Sequence, residues 1–282
     1  MIYFLFNPLA NNGAANEAKV EVNKKISEKF GELVEKSVID LDTDSFLKTL
    51  KEDDRVIMFG GDGTLMHFAN NVYGKKLPCS FYLYKGGTGN DFLNDVKDDI
   101  KDDMVELNKY VENLPTIYVN GSEYKYLNGI GYGIDGFVCE IAEKMKAQGK
   151  KKISYAGLSV KNLLHGYKCP SAKVTVDGVT KEYKKVWLAS CMNGRYYGGG
   201  MDIAPNQDRF SDVVSSCIFH DSGKLKTLMI FPKIFKGEHI KHTKYFEIRT
   251  GHDVTVEFSR PMALQIDGEV VYNVTSYRVV KK

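Results

Sequence analysis

The run Val56-Ile57-Met58-Phe59-Gly60-Gly61-Asp62-Gly63-Thr64 carries apolar, strand-like residues straight into a glycine-rich loop. Glycines at a strand end let backbone N–H groups approach a polyphosphate, and the N-terminus of a following helix favours anions. An acid in such a loop repels phosphate unless a divalent cation stands between them, so Asp62 points to Mg²⁺. The competing reading is a plain turn in which Asp62 caps the next helix. A loop of the same kind, Gly86-Gly87-Thr88-Gly89-Asn90-Asp91-Phe92, follows the next apolar run. Loops at the carboxyl ends of neighbouring parallel strands line one crevice, so together the two loops point to a nucleotide site.

Further along, Asn128-Gly129-Ile130-Gly131-Tyr132-Gly133-Ile134-Asp135-Gly136 alternates glycines and ends in an acid ahead of a helix. Its spacing is not that of a dinucleotide fingerprint, and Asp135 as a simple helix N-cap is an equal alternative. Asp267 and Glu269, in Gln265-Ile266-Asp267-Gly268-Glu269, stand at i and i+2. On a strand they would share a face, one binding metal while the other takes a proton from an acceptor hydroxyl; Asp-Gly-Glu is equally an ordinary hairpin tip. Glu238-His239-Ile240-Lys241-His242 lies among lysines and reads as solvated surface. Cys191 has no placed base, which argues against a nucleophilic thiol. Neither a Walker-type loop nor a Gly-x-Ser-x-Gly elbow is present.

These residues need elements to hold them. Residues 2–6, 33–39, 55–59 and 80–84 read as strands separated by helical stretches over about 16–30 and 43–51, the latter with an N-cap at Thr43 or Asp44. That alternation predicts a parallel sheet covered by helices. From about residue 116 the pattern changes. Asn120-Gly121 and Asp177-Gly178, each between short apolar runs, predict type I′ hairpins within a mostly antiparallel β domain. Two helices interrupt it, near 137–145 and 154–165. The chain has 39 Lys and Arg against 36 Asp and Glu, a net charge of +3, far from the field of a protein that wraps duplex DNA. No run is apolar enough to cross a bilayer, and Met1 to Pro8 predicts no signal peptide. The five widely spaced cysteines predict reduced thiols, and the chain reads as a soluble intracellular protein.

Asn7-Pro8, Gly60 to Thr64, Gly87 to Phe92, Asn128 to Gly136, Tyr197-Gly198-Gly199-Gly200-Met201 and Gln265 to Glu269 occur in one order. That series resembles the diacylglycerol kinase catalytic-domain superfamily, and within it the bacterial soluble lipid kinases related to sphingosine and ceramide kinases. The resemblance implies an N-terminal phosphofructokinase-like α/β domain over 1–115 and a C-terminal β-sandwich domain over 116–272, with the active site between them and residues 273–282 returning to the first domain. It implies ATP and Mg²⁺ as cofactors. Asn7, Gly60, Gly61, Gly63, Thr64, Gly87, Thr88, Gly89 and Asn90 fall on nucleotide-side positions, and Asp62 on the acid that works with Mg²⁺. Asp135, Asp267 and Glu269 match the remaining catalytic acids, Glu269 being the expected base. Many members hold a structural Mg²⁺ with an Asp-x-x-Asp-Gly segment. Here Asp208-Arg209-Phe210-Ser211-Asp212 has serine at the second acid, leaving Asp208 as the one matching ligand.

The expected reaction is transfer of the γ-phosphoryl group of ATP to a lipid hydroxyl, with diacylglycerol giving phosphatidic acid for phospholipid synthesis. One alternative is NAD kinase, which shares Gly-Gly-Asp-Gly-Thr, although no Thr-Gly-Ser-Thr-Ala-Tyr-like segment follows the hairpin. The other is a nucleotide-binding module without chemistry, against which the four acids speak. The expected partners are a membrane lipid substrate and, reversibly, an anionic membrane surface, with no nucleic acid; a homodimer is compatible. The expected location is the cytoplasm, peripheral to the inner face of the membrane. Two lysine clusters are candidate docking segments: Lys144, Lys146, Lys150, Lys151 and Lys152, and the set Lys224, Lys226, Lys233, Lys236, Lys241 and Lys244.

Overall fold

The computed structural model describes residues 1–8, 15–39, 41–86, 90–150 and 155–282; Gly87, Thr88, Gly89, Lys151 and Lys152 lie outside them. The chain divides into two compact units, Met1–Glu112 and Asn113–Lys282.

The first unit runs β1 (Ile2–Phe6), α1 (Ala15–Phe30), β2 (Leu33–Ser37), α2 (Thr43–Thr49), β3 (Arg55–Phe59), α3 (Asp62–Val72), β4 (Ser80–Tyr84), α4 (Asp91–Asp95) and β5 (Met104–Glu106). Its sheet has the order β2-β1-β3-β4-β5; the first four strands are parallel, and β5 is antiparallel to β4. Alternate residues of each strand feed opposite faces, and both faces are covered. Phe4, Ile57 and Phe59 pack with Val22 and Ile26 of α1. On the other face Tyr3 meets Phe46 of α2, and Phe81 stacks on Phe68 of α3. The N-cap of α2 is Asp42, one residue before the expected position, because its carboxylate reaches the N–H groups of Asp44 and Ser45.

The second unit begins β6 (Thr116–Val119), β7 (Ser122–Lys125), β8 (Gly129–Tyr132), α5 (Ile134–Ala147) and α6 (Tyr155–His165). There follow β9 (Ala172–Val176), β10 (Val179–Tyr183), β11 (Leu188–Met192), β12 (Tyr196–Tyr197), β13 (Met201–Asp202), β14 (Val214–Phe219) and α7 (Lys224–Ile234). It ends with β15 (Phe246–Gly251), β16 (Asp253–Ile266) and β17 (Glu269–Val280). Asn120 and Gly121 have φ of 49° and 78°, and Asp177 and Gly178 have 47° and 80°, as the two hairpins require. Ten of the strands form an antiparallel, sandwich-like sheet. Along one edge β16 pairs first with β9 and then with β8; on the other it pairs with β17. Its register on β17 shifts between Glu257 and Met262, across Pro261, which has no N–H to donate. This long bent strand lets one sheet curve around the core that holds Trp187, Tyr132 and Phe219.

Three sequence expectations are corrected here. Residues 273–280 do not return to the first unit: β17 lies between β16 and β6, and Lys281 behind it is buried. The lysine-rich stretch after 224 contains α7, missed because its apolar residues lie on more than one face and Pro232 interrupts it. His239 is wholly buried, its ring edge-on to Phe246 at 4.3 Å and its Nε2 3.1 Å from the Ile203 carbonyl; it is not solvated surface.

Candidate active site

In the first unit, the buried β3 ends at Gly60. A Cβ there would stand 2.7 Å from the Thr64 side chain, so only glycine lets the loop turn this tightly into α3. Gly61 caps α3 without a side chain, leaving first-turn N–H groups for another acceptor. The Asn7 side-chain amide, just beyond β1, donates to Thr64 Oγ1 at 3.0 Å. Asp62 Oδ2 and Oδ1 accept the N–H groups of Asp91 and Phe92 at 2.9 and 3.2 Å. Asn90 precedes α4 in the left-handed conformation, φ 39°. The carboxyl ends of β1, β3 and β4 are therefore tied together, as adjoining parallel strands allow. Asp62 does brace a helix, but it is α4, across the crevice, and not its own.

Each Asp62 oxygen keeps a further lone pair after accepting these bonds. Mg²⁺ in phosphoryl-transfer sites takes one or two carboxylates and completes its shell with phosphate and water. Asp62 fits that requirement. Asp208 does not. Its Oδ1 accepts the Phe210 N–H at 2.9 Å within its own exposed loop. The neighbouring Arg209 carbonyl and Asn193 Oδ1 receive the Lys281 ammonium at 2.8 and 2.7 Å. With Arg209 also buried, two positive charges stand beside Asp208, which disfavours a divalent ion there. Among the described residues no group of three or more His, Cys, Asp or Glu is placed to hold a metal.

The acids of the second unit gather around β8. Asp267 and Gly268, φ 46° and 98°, make the two-residue turn joining β16 to β17. The Asp267 carboxylate accepts the N–H groups of Leu127, Asn128 and Gly129 at 2.5, 2.9 and 2.9 Å. It thus pins the hairpin tip to the start of β8. Gln265, buried beneath, accepts the Gly268 N–H at 2.6 Å. Glu269 follows the turn, exposed, opposite Ile266.

Asp135 stands in the first turn of α5 over Gly131, where a Cβ would come within 2.7 Å of both Asp135 Cβ and Gln265 Nε2. Close approach here is a second use of glycine that composition alone does not reveal. Tyr197 donates its hydroxyl to Asp135 Oδ2 at 2.5 Å, and Ser190 Oγ lies 3.1 Å from the same hydroxyl. Burial raises the Asp135 carboxyl to about 6, against the hydrogen bonds of Tyr197 and Ser190, which lower it. Asp135 and Gln265 flank Gly131 from two sides, and Gln265 holds the turn that carries Asp267, so three of the four expected acids lie in one neighbourhood of this unit. Sequence reasoning missed Ser190 and Lys281, and quoted Gln265 only as part of the motif that carries Asp267 and Glu269. Tyr197 stood in a quoted motif, but only its glycines drew notice.

Residues 1–115 match the diacylglycerol kinase catalytic domain, and residues 128–280 match the YegS C-terminal NAD kinase beta sandwich-like domain. The chain is 26% identical over 250 residues to a diacylglycerol kinase of Mycobacterium tuberculosis, covering 84% of this chain and 79% of that protein. It shares its fold with the crystal structure of a diacylglycerol kinase from Bacillus anthracis, at a TM-score of 0.63 and 16% identity, covering 99% of this chain and 93% of that one. An α/β unit with tied strand-end loops, an antiparallel unit with acids gathered around one hairpin, and both domain matches in this order lead to one conclusion: the chain is a kinase of the diacylglycerol kinase-like lipid kinase family.

Proposed function

We propose that the protein transfers the γ-phosphoryl group of ATP to the free hydroxyl of diacylglycerol, giving phosphatidic acid. The observation that carries this reading is the joining of three strand ends by Asn7–Thr64 and by Asp62 on the first turn of α4. That arrangement supports a polyphosphate site: the loop glycines admit phosphate, and the N–H groups opening α3 face negative charge. Mg²⁺, when bound at Asp62, would neutralise charge on the β- and γ-phosphates. Gly60, Gly61, Gly63, Thr64 and Asn7 hold the nucleotide in this reading. Glu269 takes the acceptor proton as the new O–P bond forms and the bond to ADP breaks. Its place on a turn clamped by Asp267 and Gln265 supports that role, because a base must be held still. Asp135, with Tyr197 and Ser190 behind it, orients the acceptor.

The test is incubation of the full chain with ATP, Mg²⁺ and either mixed diacylglycerols or NAD, with mass spectrometry of the products. Phosphatidic acid is the expected product. Phosphorylation of NAD alone would establish the rival reaction, and nucleotide binding without transfer to any lipid would mark a module without chemistry. Glu269→Gln is expected to lower turnover by about a hundredfold or more while sparing ATP affinity. Near-normal turnover of that variant would remove Glu269 from the mechanism.

A further inference from the structure

Helix α7 buries Thr227, Ile230, Phe231 and Ile234, which is the face expected of a surface helix. Its opposite face is anomalous. Leu225 is 78% exposed and Met229 67% exposed, and Pro232 is exposed as well. These three stand at i, i+4 and i+7, so they form one outward stripe, and Phe235, 40% exposed, follows at its end. A single exposed leucine is ordinary; an aligned apolar row on a solvent-facing helix is not.

The surroundings of the stripe are basic. Between Lys224 and Lys244 there are six lysines and one glutamate, whereas the whole chain carries a net charge of only +3. Among the described residues Lys226, Lys233, Lys236, Lys241 and Lys244 form no ion pair. Lys226 and Lys244 lie 5.9 and 5.5 Å from the ring of Tyr245, and Lys233 Nζ is 3.0 Å from His242 Nε2. His242 is held below its ordinary pKa by burial and by the charges of Lys233 and Lys226, as a local positive field requires. The other lysine cluster is different: Lys144 pairs with Glu140 at 2.6 Å and Lys146 with Glu143 at 2.7 Å. Two of its five lysines are thus paired within their own helix, and Lys151 and Lys152 lie outside the described residues.

We propose that α7 is the element that docks this protein on an anionic bilayer. The Leu225–Met229–Pro232 stripe enters the boundary between headgroups and acyl chains, while the lysines around it meet lipid phosphates. An interfacial helix combines these two features, and neither suffices alone. Charge selects this occupant over a second copy of the chain, since two such faces would repel. Among the described residues no helix is long and apolar enough to cross a membrane, so contact through a helix would be made at the surface. The proposal rests on the lipid-kinase reading for its biological sense, but its test does not.

The test is co-sedimentation of the full chain with vesicles of phosphatidylcholine alone and of phosphatidylcholine mixed with phosphatidylglycerol. Binding to the mixed vesicles, weakened by salt, is expected. Leu225→Ser with Met229→Ser should reduce partitioning by about tenfold or more, because two apolar side chains no longer leave water. Lys226→Gln with Lys233→Gln should instead flatten the salt dependence. The double serine variant should keep its circular dichroism, its ATP affinity and its turnover of a water-soluble, short-chain diacylglycerol, and lose turnover of long-chain diacylglycerol in vesicles. Wild-type partitioning by that variant would overturn the proposal. So would a change in its sedimentation without vesicles, which would reveal a second copy as the occupant. Vesicle binding that depends on Leu225 and Met229, with neither diacylglycerol phosphorylated, would uphold the docking and reject diacylglycerol as the acceptor.

Discussion

Asp135 is costly to the fold. Its carboxyl is raised to about 6 from an ordinary value near 3.8, so the folded chain keeps a proton that the unfolded chain has lost. Stability contributed at this residue therefore falls as pH rises from about 4 to about 6, and stays low above. Asp135→Asn keeps the shape and the bond from Tyr197 without the buried charge. We expect it to raise stability by about 1–2 kcal/mol at pH 8, a few degrees in Tm, and much less at pH 4. Equal shifts at both pH values, by differential scanning fluorimetry, would show that charge is not the cause. Lys281 has the opposite sign of charge and a matching cost. It is 1% exposed, and burial first, then Arg209, lower its pKa to about 8, while Asp208 and Asp212 act against this. Its folded pKa lies below the unfolded value near 10.5, so the cost is full below about pH 8 and is relieved between there and pH 10.5. Lys281→Met abolishes that pH dependence. Over this window the wild type should gain stability relative to the variant, in denaturant titrations at fixed pH.

At the scale of elements, one carboxylate holds a hairpin to a neighbouring strand. Asp267 accepts N–H groups from residues 138 to 140 positions away in sequence, and these bonds align the β16–β17 tip with β8. Asp267→Ala leaves those donors without their acceptor, and charge-assisted bonds of this kind are worth about 1.5–3 kcal/mol each before overlap. A loss of about 2–4 kcal/mol is expected in urea unfolding. Glu269→Gln, two residues on, should leave the urea midpoint unchanged, because Glu269 is exposed and the role proposed for it is chemical. Equal destabilisation by the two changes would mean that Glu269 also supports the turn. Helix α5 shows another local constraint: a Cβ on Gly136 would stand 2.0 Å from the Ala263 carbonyl oxygen. The helix meets β16 so closely only because that residue is glycine.

At the scale of the molecule, the chain end belongs to the second unit. Val280 pairs with Thr116 of β6 and with Asp253 of β16, and Lys281 reaches the carbonyl of Arg209. Deleting residues 269–282 removes a strand from the interior of the larger sheet and leaves its neighbours without partners. Hydrogen exchange should then show lost protection at Thr116–Val119 and Asp253–Ile266, while Val56–Phe59 in the first unit stays protected. Loss at Val56–Phe59 instead would mean that the chain end supports the first unit.

Much of this architecture was legible in the sequence because its causes are local. Asn120-Gly121 and Asp177-Gly178 specify positive φ within two residues, and their flanking apolar runs became β6–β7 and β9–β10. Apolar runs ending in Gly60 and near Gly86 marked two strand-end loops for the same reason. What escaped the sequence depends on partners far away along the chain. Asp62 reads as a cap of its own helix until the N–H groups of Asp91 and Phe92, 29 and 30 residues on, are placed beside it. The hold of Asp267 on the start of β8 depends likewise on three backbone donors far away along the chain. The carboxyl of Asp135 is raised by burial, against the bonds of Tyr197 and Ser190, and burial is a property of the assembled fold. Helix α7 hid because apolar residues on both its faces blur the helical period, and only packing shows which face the protein covers. Local conformational preference is written in a few adjacent residues; desolvation and long-range hydrogen bonding are decided when the chain closes on itself.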